Sequence, residues 1–74
     1  MSNREQAQAA LCAVLLGHIR RDPFPSATQM DILEQSVPPQ LYGEYLDALL
    51  EKVASEPFPS IPMIRRIQRF AENI

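Results

Sequence analysis

The residues whose types could do chemistry are few: three carboxylates in one stretch, one histidine, one cysteine, and arginines in two clusters. Glu44, Asp47 and Glu51 stand at i, i+3 and i+7, which puts them on one side of a helix and in principle within reach of a divalent ion. A calcium loop needs closely spaced oxygen ligands around a tight glycine turn, and that pattern is missing, so a solvated helix face is the expectation. His18 falls beside an apolar stripe near the end of a helical pattern, where a histidine caps carbonyls or answers the helix dipole. Cys12 lies inside an apolar run and is expected to pack as a small hydrophobe. One cysteine and one histidine cannot build a structural zinc site, and a lone cysteine forms no internal disulfide. The two glycines, Gly17 and Gly43, are too far apart for a phosphate loop. No catalytic residue, metal or cofactor is expected, and the chain is not read as an enzyme.

The arginines remain. Arg65, Arg66 and Arg69 give the C-terminal segment a net charge of +2 once Glu72 is counted, and Arg20-Arg21 form a second pair. Glu44, Asp47, Glu51 and Glu56 against Lys52 alone sum to −3 just before it. Such polarity reflects solvated faces or pairing between helices, and it also offers complementary patches for association. Two helices around Pro38-Pro39 suggest a helix-turn-helix, but a recognition helix of charge −3 would be repelled by phosphates. If nucleic acid were bound, Arg65, Arg66 and Arg69 would have to carry the phosphate contacts. Five clustered arginines are few for that, and the net charge of −2 steers the chain as a whole toward neither nucleic acid nor anionic lipid.

Four helices must position these groups. Ser2 and Glu5 have capping-box spacing, and Leu11, Leu15 and Ile19, widened by Cys12 and Leu16, make an apolar face that ends before Asp22-Pro23, which predicts a helix over 3–21. Ser26 with Gln29 opens a second over 27–36, carrying Met30, Leu33 and Val37. Pro38-Pro39 closes it and can open a third over 39–54, where Leu41, Tyr45, Leu49 and Val53 form one stripe with Tyr42, Leu46 and Leu50 beside it. Ser60 caps a fourth over 61–73, with Met63, Ile64, Ile67, Phe70, Ala71 and Ile74 opposite the arginines. Nothing alternates with period two, so the class is all-α: a small four-helix domain of two related helical hairpins, antiparallel and bundle-like, over 1–74. Its expected core is Leu11, Leu15, Ile19, Met30, Leu33, Tyr45, Leu49, Val53, Ile67 and Phe70.

Asp22-Pro23-Phe24-Pro25-Ser26 and Glu56-Pro57-Phe58-Pro59-Ser60 match at an offset of 34, and Leu15, Leu16, Ile19, Met30 and Leu33 meet Leu49, Leu50, Val53, Ile64 and Ile67 at the same offset. Helix, loop, helix is written twice. A helical period of that length is known from the tetratricopeptide repeat, but the Trp, Leu-Gly and Tyr pattern of that family is missing, so the internal repeat assigns no family. The Phe of each loop has two readings. It packs back on Met30 or Ile64 as a hydrophobic staple, or Phe24 and Phe58 are twin exposed docking points. The staple predicts that losing at least one ring largely unfolds the chain.

A chain of 74 residues is one domain's worth and leaves a core of only about 3–5 kcal/mol of net stability, so without disulfide or metal a partner chain is the remaining support. The start has no signal-peptide pattern, and the longest apolar run, Ala9 to Leu16, is too short to span a membrane. A lone cysteine then favours the cytoplasm. The expectation is a non-catalytic protein–protein interaction module, an adaptor or regulatory small protein, acting as an oligomer or with a protein partner. Phe24, Phe58, Arg65, Arg66 and Arg69 are its candidate contacts. A nucleic-acid-binding module using the last helix, or an accessory subunit of an enzyme, are the alternatives.

Overall fold

The computed structural model describes residues 3–74, so the predicted Ser2 cap lies outside the described residues. Four helices follow in order: α1 (Asn3–Arg21), α2 (Ala27–Ser36), α3 (Tyr42–Ser55) and α4 (Ile61–Glu72), with a 3-10 turn at Pro39–Leu41 leading into α3. The described residues include no strand. The turn replaces the first turn of the predicted third helix because Pro39 has no N–H to give, and Leu41 N–H closes the tighter bond on the Pro38 carbonyl at 2.9 Å. Elsewhere the punctuation acts as expected. Ser26 and Ser60 sit in extended geometry, and their hydroxyls accept from Gln29 N–H and Met63 N–H, both at 3.3 Å.

Packing joins α1 to α2 most extensively, then α3 to α4, with α1 crossing onto α3 to tie the two helix pairs together. The extents are 43 × 25 × 18 Å, and the short dimension is under two helix diameters. Few side chains are therefore covered from every direction. One cluster holds them: Cys12, Leu16 and Ile19 from α1, Met30 and Leu33 with the following Val37 from α2, Tyr45, Ala48 and Leu49 from α3, and Phe70 alone from α4. The all-α bundle class and the bounds of the first two helices match the reading of the sequence, while the third helix runs Tyr42–Ser55 rather than over 39–54 and the fourth ends at Glu72 rather than at 73.

The core differs from expectation on α1. Leu11 is 47% exposed and Leu15 only half-buried, while Cys12 and Leu16 go fully inside with Ile19. The run Ala9 to Leu16 is apolar most of the way round, so two stripes one residue apart were equally available, and contact with both α2 and α3 selects the one at i, i+4, i+7. Val53 and Ile67, also expected in the core, are only half-buried, and of the two Ile67 packs against the cluster. Burial pushes the Cys12 thiol above its ordinary pKa, as suits a side chain used for packing.

Candidate partner-binding groove

The proline pairs stop α1 and α3 and start α2 and α4, so both Pro-Phe-Pro-Ser loops and two helix N-termini collect where the chain reverses. They enclose a groove of about 860 Å³. Pro23, Phe24 and Pro25 line it from the first loop, Phe58 and Pro59 from the second, and Val53, Met30 and Met63 contribute apolar surface. Phe24 is 79% exposed and Phe58 92% exposed, so neither ring is a staple. The reason lies in register. A staple needs an apolar residue immediately before the cap, and that position belongs to Pro25 and Pro59, both half-buried, with each phenylalanine one residue too early. The rigid prolines turn the rings out instead. In the first loop Phe24 N–H is also held by Asp22 Oδ1 at 2.9 Å, a side-chain-closed turn.

Arg65 and Arg69, four apart on α4, are exposed and line the same groove. All five sequence candidates, Phe24, Phe58, Arg65, Arg66 and Arg69, therefore come together, though they lie on two loops and a helix. Arg66 departs from its expected part. Its Nη1 donates to Asp31 Oδ1 at 2.7 Å and to Glu34 Oε2 at 2.9 Å, and its side chain is 14% exposed. Tyr45 Oη donates to the same Glu34 oxygen, so α2, α3 and α4 meet at one carboxylate. Burial works against the Arg66 charge, but hydrogen bonds to Glu34 and Asp31 outweigh it and hold the guanidinium above its ordinary pKa. Burial, and then the Glu34 carboxylate, push the Tyr45 phenol well above its ordinary value, with Arg66 opposing. Arg66 thus pins α4, assisted by Phe70, whose ring meets Tyr42 and Tyr45 edge-on at 5.5 and 5.1 Å.

The helix-to-helix pairing that the charges implied is made with α2, not with acidic α3. The signal was present: α2 holds Asp31 and Glu34 at i, i+3 and no basic residue of its own. Lys52, which also lines the groove, donates from Nζ to the Arg20 carbonyl at 3.1 Å and so answers the C-terminal dipole of α1. Arg20 Nη2 returns a bond to the Glu44 carbonyl at 3.3 Å. Neither contact was legible in the sequence, because each joins residues far apart in the chain. His18 lies exposed in the last turn of α1, and its carbonyl accepts Asp22 N–H at 3.0 Å as part of the helix end. Among the described residues, no group of three or more His, Cys, Asp or Glu could hold a metal ion, and no helix is long and apolar enough to cross a membrane. Comparison of the chain with protein-family models, with curated proteins and with solved structures gives no match.

Proposed function

We propose that the chain is a non-catalytic protein-interaction module, an adaptor or regulatory small protein of the cytoplasm, that docks a protein partner in the groove between its two Pro-Phe-Pro-Ser loops. The observation that carries this reading is the pair of phenylalanines, 79% and 92% exposed, lining one groove. An exposed aromatic on a small helical protein costs solubility, and two of them in one concave surface mark an interaction site better than scattered apolar residues do. Phenylalanine on a proline-stiffened loop loses little conformational freedom when covered, so a large part of its apolar area becomes affinity. Central rings of this kind behave as hot spots, with a charged rim supplying orientation.

The test is a photo-crosslinking amino acid placed at Phe58, at Phe24, and at exposed Gln35 outside the groove, with each full-length chain irradiated in living cells. Discrete protein adducts from the two loop positions and none from position 35 are the expected result. Loop positions that crosslink no more than position 35 would end the reading.

A further inference from the structure

The groove's charge is opposite in sign to that of the whole chain. Lys52, Arg65, Arg66 and Arg69 line it against the single carboxylate of Glu56, while the chain carries a net −2. Arg66 is already balanced by Asp31 and Glu34, and Lys52 is engaged with the Arg20 carbonyl. Arg65 and Arg69 are exposed, and neither guanidinium has an ion-pair partner among the described residues. The N-termini of α2 and α4 open into the same space through Ala27 and Ile61, adding the positive ends of two helix dipoles.

Resting on the interaction reading above, we infer that this groove takes an acidic segment of a partner protein, with large apolar side chains against Phe24 and Phe58 and carboxylates on Arg65 and Arg69. Apolar surface supplies the contact area, and the uncompensated cations select against neutral and basic segments by charge complementarity. Two other occupants are distinguished by experiment. Nucleic acid needs many phosphate contacts, and of the four cations lining this groove Arg66 and Lys52 are already engaged. A second copy could offer the exposed Glu44, Asp47 and Glu51 of α3 as an acidic surface. Reciprocal mating of groove and face across a two-fold axis would bury both patches at once, and the experiment below reads it as concentration-dependent association.

The experiment pans random short peptides displayed on phage against the full-length chain, then labels the most enriched peptide with fluorescein for anisotropy. Enriched peptides should carry net negative charge and at least one large apolar residue. Replacing their Asp and Glu by Asn and Gln, or placing Arg65→Glu and Arg69→Glu together in the protein, should weaken binding about tenfold, and added salt should weaken it further. Enriched peptides that are neutral or basic, or that bind equally as amides, would overturn the acidic partner while leaving the interaction module standing. Failure to enrich any peptide that the Phe24→Ala, Phe58→Ala double variant has lost would remove both. Displacement of the peptide by an oligothymidylate at equal concentration would transfer the groove to nucleic acid. Concentration-dependent association of the chain that Phe58→Ala abolishes would assign it to a second copy.

Discussion

Ser26 and Ser60 hold the first turns of their helices with nearly the same backbone, φ −63° and ψ 131° at one, φ −65° and ψ 128° at the other. Around them the repeated segments also share the outward phenylalanine and the half-buried proline before the cap. Thirty-four residues apart, though, the helices bury different things. Leu16 is buried where its counterpart Leu50 is 49% exposed, and Met30 is buried where Ile64 is exposed. Leu11 is exposed where Tyr45 is fully inside. Chemistry decided within four residues, a cap bond or a proline's fixed angle, is reproduced by repeated sequence. Burial is decided by which face a helix turns to its neighbours. Packed on α2 and α3, α1 buries Cys12, Leu16 and Ile19. Its counterpart α3, packed on α4 and α1, buries Tyr45, Ala48 and Leu49, a different face of the repeated pattern.

The largest expected effect tests that asymmetry directly. Leu16→Ala should cost about 2–5 kcal/mol, comparable with the whole stability of so small a fold, and largely abolish helical circular dichroism. At the matched position, Leu50→Ala removes a half-exposed side chain and should cost about 1 kcal/mol or less. Urea titrations of the two variants make the comparison. Equal losses would mean that the halves pack alike in solution.

A second contrast lies between Arg66 and Ile32, its match at the same offset. Arg66→Met should cost about 1–3 kcal/mol, because it leaves the part-buried Glu34 carboxylate with only the Tyr45 hydroxyl for a partner. Ile32→Met, on an exposed side chain, should change stability by about 0.5 kcal/mol or less. If both variants melt with wild type, the three-helix node contributes nothing and α4 is held by Phe70 and its neighbours alone.

The same node has a pH signature. The folded chain keeps the Tyr45 phenol neutral to a pH where the unfolded chain has released its proton. Its contribution is therefore complete below the ordinary phenol pKa of about 10 and is lost as pH rises past it, by up to about 1.4 kcal/mol per pH unit. The shift of Arg66 has the same sign and acts at still higher pH. Thermal melts of Tyr45→Phe between about pH 9 and 11 should show a shallower fall in Tm than wild type. An unchanged slope would place the phenol in water rather than on Glu34.

How much of this was legible follows from the same division. Ser26, Ser60 and the proline pairs announce the helix boundaries, since caps and breakers act over a few residues. Met30, Leu33, Tyr45, Leu49 and Phe70 were legible as core because each sits on a clean stripe. Cys12 and Leu16 were displaced in the reading by Leu11, since an all-round apolar run leaves its rotation to the neighbours. On the groove, the repeated loops and the clustered arginines singled out the five candidate residues, but the sequence could not distinguish Arg66, fixed by Asp31 and Glu34, from Arg65 and Arg69, which have no ion-pair partner among the described residues.

The smallest expected effect is on the rings themselves, and it inverts the outcome that a staple demands. A core phenylalanine truncated to alanine costs about 3–5 kcal/mol, which this fold could not absorb. Phe24 and Phe58 are mostly in water already, so little area returns to solvent when they are cut back. Each single alanine variant should keep its helical circular dichroism and shift stability by about 0.5 kcal/mol or less. Of the two, Phe24→Ala should show the larger shift, since its ring is the less exposed and its backbone is held by Asp22. Neither variant should change the slope of the urea transition, because a ring exposed in both states adds little to the surface released on unfolding. A steep loss of stability in either would mean that the ring folds back onto the groove in solution, closing the surface offered to a partner.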